Sequence, residues 1–235
     1  MIRFIFINIF IAVHTIIISL CSFIISFFDK DGTLIHRKCA VPWAKTILFI
    51  CGVKLEVKGV ENIREDTPCI YMSNHQSYFD IFALLAGLPV NFKFIMKKEL
   101  MRIPLLGTAM KRAGYISLDR EDSRKAIVSV NMAADRIRNG TSVLIFPEGT
   151  RSRDGVVGEF KKGGFHLAMK SGCDIVPVAI VKSRDIVPKG SLKVNKGIIY
   201  FNIGKPIPVT EYSKRDMPLL MEKVRESVLA MMKEE

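Results

Sequence analysis

The sequence predicts an α/β fold, a mostly covered β-sheet with flanking helices, preceded by an N-terminal membrane-embedded helical hairpin. Three observations predict it. Short, nearly all-apolar runs rich in β-branched and aromatic residues recur along the chain, helical stretches alternate with them, and the N-terminal quarter is more apolar than the remaining three quarters. The expected organisation is residues 1–53 as membrane-associating helices and residues 54–235 as the α/β domain.

From Ile9 to Phe28 the chain is apolar, broken only by His14, Thr15 and Ser or Cys residues. As a helix this run would cross a hydrocarbon core of about 30 Å. A cleaved signal peptide would instead carry several positive charges first, a shorter apolar run and a small-residue cleavage site. Only Arg3 precedes the run, and Phe27-Phe28-Asp29-Lys30 follows it. After the turn Asp29-Lys30-Asp31-Gly32 comes a second apolar segment, Leu34 to Val53. Its His36, Arg37, Lys38, Trp43 and Lys45 suit the interface better than a span. A spanning helix and a two-helix hairpin dipping into one leaflet both fit. The cations after the first helix predict that the rest of the chain faces the cytoplasm, against a cell inner or cytoplasmic membrane.

Val53 to Lys58 alternates apolar and charged residues, as a strand with one exposed face does. Further strands are expected at Cys69–Met72, Phe92–Met96, Tyr115–Leu118, Ser142–Phe146 and Ile175–Val181, with helices at Phe79–Ala86, Ser123–Arg138 and Gly164–Lys170. Leu192 to Ile203 reads as a late hairpin and Met217 to Lys233 as a closing amphipathic helix. The chain has 235 residues, 49% of them hydrophobic, which excludes disorder. Its net charge of +12 calls for an anionic partner: nucleic acid, an anionic membrane surface or a phosphorylated substrate. Nucleic acid is set aside, because no recognition fingerprint is present and the basic residues are not interleaved with aromatics. The five cysteines are scattered, with no Cys-x-x-Cys pair, and read as reduced, buried thiols rather than disulfides or a zinc site.

Two strand ends carry chemistry-bearing residues. In Asn74-His75-Gln76-Ser77-Tyr78-Phe79-Asp80, His75 and Asp80 are too far apart to share a regular helix face. Across a strand-to-helix turn, however, the carboxylate can fold back onto an imidazole N–H, fixing the tautomer and making a general base. The spacing alone leaves open a plain helix N-terminal carboxylate beside a polar turn residue. In Phe146-Pro147-Glu148-Gly149-Thr150-Arg151-Ser152, Gly149 permits close backbone approach, Arg151 offers a planar fork for phosphate, and Glu148 suits a polyol or a loop anchor. An ordinary polar turn fits these residues equally well. Lys97 and Arg120 each close an apolar strand, where a substrate phosphate would be held.

Together with Lys97-Lys98-Glu99-Leu100, Ile103-Pro104-Leu105-Leu106-Gly107, Gly114 to Arg120 and Ile175-Val176-Pro177-Val178-Ala179, these blocks appear in one order that resembles the 1-acyl-sn-glycerol-3-phosphate acyltransferases. The resemblance covers roughly residues 55–210 and implies the glycerolipid acyltransferase fold. It implies transfer of a fatty acyl group from acyl-coenzyme A or acyl carrier protein, as co-substrate, to lysophosphatidic acid, giving phosphatidic acid. His75 would be the general base and Asp80 its orienting partner. Lys97, Arg120 and Arg151 would hold the acceptor phosphate, Glu148, Gly149 and Thr150 would shape the acceptor site, and Pro177 would hold a strand end. No cofactor and no metal ligand are implied; His166 is assigned to packing. The same superfamily also serves other lysolipids, such as lyso-ornithine lipid. A basic protein that only binds anionic membranes is the non-enzymatic alternative, which leaves the joint occurrence of His75, Asp80 and the Glu148–Arg151 loop without a reason.

Overall fold

The computed structural model of the protein describes residues 1–118 and 123–233. Seven strands, β1 (Val53–Lys58), β2 (Ile70–Ser73), β3 (Phe92–Lys97), β4 (Ile116–Leu118), β5 (Ser142–Ile145), β6 (Ile175–Val181) and β7 (Gly197–Ile203), form one sheet in the order β1-β7-β6-β2-β5-β3-β4. All neighbours are parallel except β6 and β7. Every residue of β2, β5 and β6 is buried, as strands covered on both faces should be. β1, at the sheet edge, alternates as its sequence predicts, with Lys54, Glu56 and Lys58 turned outward.

The helices are α1 (Ile2–Ile25), α2 (Thr33–Ile35), α3 (Val41–Cys51), α4 (Phe79–Gly87), α5 (Leu106–Arg112), α6 (Ser123–Arg138), α7 (Lys162–Ser171), α8 (Ser183–Ile186) and α9 (Met217–Met231), with a π-helical turn, His36–Ala40, joining α2 to α3. Two apolar clusters sandwich the sheet. On one face Ile47 and Leu48 of α3 and Leu84 of α4 pack with Tyr71, Val178 and Phe201. On the other, Ile137 of α6, Phe165 of α7 and Val224 of α9 pack with Ile70, Met72 and Ile175. Burying such side chains contributes roughly 2 kcal/mol each, enough to hold the sheet between its helices.

The chain leaves β2 into α4 on one face and β5 into α7 on the other. Because β2 and β5 are neighbours whose chains leave to opposite faces, their following loops start side by side at the shared C-terminal edge, where ligands bind in open α/β sheets. Both chemistry-bearing loops of the sequence start at this point.

α1 is 24 residues long with mean hydropathy 2.4, about 36 Å of helix, and most of its surface is exposed. It does not stand away from the domain. Arg3 donates to the Val194 and Cys51 carbonyls at 2.6 and 2.9 Å, and Asn8 donates to the Leu192 carbonyl at 3.2 Å. Trp43 donates to Thr15 Oγ1 at 3.1 Å, and the Arg112 guanidinium lies 6.0 Å from the Phe23 ring. Outward, the helix shows Phe6, Ile9, Val13, Ile16 and Leu20. Cys21, expected to be buried, is exposed on this helix, whereas Cys39, Cys51 and Cys69 are buried.

The late hairpin is corrected to a single strand. Residues 192–195 form no strand because other groups take their backbone: Arg3 and Asn8 claim the Val194 and Leu192 carbonyls, and the Asn195 N–H donates to Ile186 at 2.9 Å. β7 then fills the gap between β1 and β6. The apolar segment around Ile103 to Leu106 holds an unexpected γ-turn. Leu105 has φ 61°, the Leu106 N–H reaches the Pro104 carbonyl at 2.7 Å, and α5 follows directly. Gly107 is required there, since a Cβ would lie 2.3 Å from the Met101 carbonyl oxygen.

Candidate active site

β2 ends at Ser73, and the next residues are pinned by side chains rather than by regular structure. Asn74 exchanges two hydrogen bonds of 2.8 Å with the Ile180 backbone, continuing the β2–β6 pairing through its amide. Ser77 donates to the Val187 carbonyl at 2.8 Å. These ties fix the turn that carries His75 into α4.

Asp80, in the first turn of α4, is fully buried. Its Oδ2 accepts three hydrogen bonds: His75 Nδ1 at 2.7 Å, the Gln76 N–H at 2.7 Å and the Ser77 N–H at 2.8 Å. The expected fold-back of Asp80 onto His75 is therefore present. An ionised carboxylate there is held by two backbone N–H groups and the helix N-terminus. It selects the tautomer with the proton on Nδ1, leaving Nε2 as the basic nitrogen. The His75 ring stacks on Phe146, centroids 3.8 Å apart and planes 14° from parallel, and keeps 17% of its side-chain surface exposed. A held, desolvated yet reachable imidazole can take a proton from a hydroxyl.

The second loop leaves β5 through a tight turn in which the Gly149 N–H bonds the Phe146 carbonyl at 3.0 Å and Gly149 adopts φ +74°. Glu148 is buried, and its two oxygens are spent on the backbone: Oε1 accepts the His75 N–H at 2.8 Å and Oε2 the Gly158 N–H at 2.9 Å. Burial raises its carboxyl above the ordinary value, and the two backbone donors oppose that rise. Of the two readings the sequence allowed, the loop anchor is the one this geometry fits. The Ser152 N–H closes the same contact by donating to the His75 carbonyl at 2.7 Å.

Arg151 lies over the Tyr78 ring, its Cζ 3.7 Å from the centroid, and its Nη1 is buried with no hydrogen-bond partner among the described residues. A buried guanidinium nitrogen with an unused donor is a place for an anionic oxygen. Lys189 donates to the Arg151 carbonyl and lies 3.4 Å from Thr150 Oγ1.

His75, Asp80, Glu148, Gly149, Thr150 and Arg151 thus lie on the two adjoining loops at this edge of the sheet. Lys97 is exposed at the end of β3, two strands along the same edge from β2, roughly 10 Å by strand spacing. Arg120 lies outside the described residues. Pro177 is not at a strand end; it is the third residue of β6, opposite Met72, and its carbonyl accepts the Gly204 N–H at 2.8 Å. His166, expected to pack, is exposed, because the buried stripe of α7 falls on Phe165, Leu167, Ala168 and Ser171. Tyr78 and Lys189 were given no role by sequence reasoning. Tyr78 sits inside the quoted His75 block, but nothing local reveals its partner; Lys189 has no motif signal at all. Among the described residues no group of three or more His, Cys, Asp or Glu side chains is placed to hold a metal ion.

With this geometry in view, the comparisons with known proteins fall into one pattern. The family model described as acyltransferase matches residues 54–181. A chloroplastic 1-acyl-sn-glycerol-3-phosphate acyltransferase of Brassica napus is 40% identical over 182 residues, covering 77% of this chain and 52% of that one. The 1-acyl-sn-glycerol-3-phosphate acyltransferase of Saccharomyces cerevisiae is 33% identical over 211 residues, covering 86% and 69% respectively. The chain spans about half the length of the plant relatives it matches. The crystal structure of the 1-acyl-sn-glycerophosphate (LPA) acyltransferase PlsC from Thermotoga maritima superposes with a TM-score of 0.85 at 27% identity, covering 99% of this chain and 94% of that one.

Proposed function

The chain belongs to the acyltransferase family, and from that premise we propose that it transfers a fatty acyl group from an acyl thioester to the free hydroxyl of lysophosphatidic acid, giving phosphatidic acid. The observation that carries the reading is the His75–Asp80 pair at 2.7 Å, on a turn whose Tyr78 stacks on a guanidinium with a nitrogen that has no hydrogen-bond partner among the described residues. The pair supplies a base and Arg151 a phosphate ligand, which are what a phosphorylated, hydroxyl-bearing acceptor needs.

A thioester is an activated acyl donor, so direct attack by an alcohol requires only a base and positioning. His75 Nε2 takes the acceptor's hydroxyl proton as its oxygen attacks the thioester carbonyl. Asp80 stabilises the imidazolium that forms. When the tetrahedral intermediate collapses, the C–S bond breaks and the imidazolium returns its proton to the departing thiolate. The enzyme ends as it began, with no acyl-enzyme formed. Arg151 sets the acceptor phosphate at a fixed distance from His75, because the Ser152 N–H ties the two loops together.

The acceptor and product are lipids, and the exposed apolar face of α1 supports a reading in which the domain sits against their membrane. Both ends of α1 touch the same domain, at Arg3 and at Phe23. That favours a helix lying in one leaflet over one crossing the bilayer. Lys30, Arg37, Lys38 and Lys45, which follow α1, support a catalytic domain facing the cytoplasm, where the acyl thioester, carried on coenzyme A or acyl carrier protein, is available. Acceptor choice is tested by presenting lysophosphatidic acid, lysophosphatidylcholine and lyso-ornithine lipid in vesicles with one long-chain acyl thioester. A preference of at least tenfold in kcat/KM for lysophosphatidic acid, reduced by Arg151→Ala, is expected, since charge-assisted phosphate contacts contribute about 1.5–3 kcal/mol. Equal rates on all three acceptors would contradict the assignment.

A further inference from the structure

The geometry points to Tyr78 as the residue that positions Arg151 for the acceptor phosphate: its ring, stacked on the guanidinium, sets the direction of the Arg151 side chain beside the His75 turn. The inference rests on the reading of Arg151 as the phosphate ligand. Cζ of Arg151 lies 3.7 Å from the Tyr78 centroid, closer than the cation–ring pairs Arg112–Phe23 and Lys182–Tyr200, at 6.0 and 5.0 Å. Tyr78 is 52% exposed, so the ring is not fixed there as part of the core. The Arg151 backbone is held separately, by Lys189 on its carbonyl and by the Ser152–His75 hydrogen bond. What remains for Tyr78 to determine is the direction of the Arg151 side chain.

The choice of an aromatic face has a physical reason. A carboxylate partner would hold the guanidinium equally well, but it would occupy the N–H fork and cancel the charge that the phosphate needs. Among the described residues no carboxylate pairs with Arg151. A ring beneath the guanidinium plane restricts its rotamers and leaves the in-plane donors free. Tyr78 also lies between His75 and Asp80 in the chain, so the phosphate ligand and the base are set from a single turn. The distance between phosphate and reacting hydroxyl is thereby built into that turn.

The test compares wild type with Tyr78→Ala, Tyr78→Leu and Tyr78→Phe, using lysophosphatidic acid as acceptor and glycerol 3-phosphate as competing inhibitor. Tyr78→Ala and Tyr78→Leu are expected to raise the acceptor KM and the glycerol 3-phosphate inhibition constant together, by roughly three- to tenfold. In both, kcat should stay within about twofold of wild type and the thioester KM should not move. Tyr78→Phe keeps the π face and restores the wild-type KM. Tyr78→Leu, similar in bulk but without a ring, guards against a folding defect as the cause. An unchanged acceptor KM in both ring-less variants, a loss confined to kcat, or a Phe variant as impaired as Ala would each overturn the inference. Failure of wild type to acylate lysophosphatidic acid would instead overturn the functional reading beneath it, so the two failures are distinguishable.

Discussion

Glu148 holds His75 by its backbone: Oε1 accepts the His75 N–H at 2.8 Å while Oε2 accepts the Gly158 N–H at 2.9 Å. One buried carboxylate therefore fixes the turn bearing the base and the far end of the loop bearing Arg151. Replacing it with Gln puts an amide N–H₂ against one of two backbone donors and leaves that donor unpaired. Glu148→Gln is expected to cost about 2–3 kcal/mol of stability and to lower kcat, without a selective effect on acceptor KM. Thermal unfolding and steady-state kinetics on one preparation check this. A Gln variant of wild-type stability whose only defect is a raised acceptor KM would mean that Glu148 touches substrate instead.

Asp80 is buried without exposure and gathers three donors on one oxygen. Asp80→Asn keeps the shape but removes the charge: its amide oxygen can still accept the three donors, with the NH₂ in place of Oδ1, which has no hydrogen-bond partner among the described residues. The imidazolium that forms during proton transfer loses its counter-charge. A fall in kcat of about a hundredfold or more, with acceptor KM within a few-fold of wild type, is the expected result. A fall of less than about threefold would remove Asp80 from the orienting role.

Lys93 shows a buried charge outside the site. It is 4% exposed near the N-terminal end of β3, its ammonium has no hydrogen-bond partner among the described residues, and burial pushes its pKa down from 10.5 to about 8. Asp29 and Asp31 oppose that shift and Arg136 adds to it. A cation whose pKa falls on folding destabilises the fold while it stays charged, here by roughly 3 kcal/mol below about pH 8. Between about pH 8 and 10.5 only the unfolded chain keeps the proton, so stability rises with pH. Lys93→Met should unfold at a higher temperature than wild type at pH 7, the difference shrinking towards pH 10. A less stable Met variant at pH 7 would show that the ammonium is well paired.

The lie of α1 is measurable by labelling. Arg3 bonds to the Val194 and Cys51 carbonyls, and the Phe23 ring near the other end of the helix meets Arg112 of α5. In a cysteine-free background reconstituted in vesicles, Ile2→Cys and Lys193→Cys should react with a membrane-impermeant maleimide from the same side. Reaction from opposite sides would mean that α1 crosses the bilayer.

The sequence makes the sheet legible because strand burial follows from local composition. The all-apolar run Ile175–Val181 and the alternating run Val53–Lys58 become β6 and β1 with the same boundaries. The His75–Asp80 pair is legible because a short turn closes it. The Tyr78–Arg151 stack is not, because its partners meet only when β2 and β5 pair. The late hairpin is misread for a related reason: Leu192 and Val194 look strand-like locally, but side chains from α1 claim their carbonyls. Lys189 escapes notice since its contacts are to a backbone carbonyl and a hydroxyl, which no motif encodes.

His75 acting as the base in acyl transfer to lysophosphatidic acid is tested by a single assay. Purified wild type and His75→Ala are incubated in vesicles with labelled lysophosphatidic acid and a long-chain acyl thioester, and phosphatidic acid is measured. Wild type should form product and His75→Ala less than about one per cent as much, with both proteins equally bound to the vesicles. Product from both proteins at similar rates would contradict the mechanism, and product from neither would contradict the acceptor.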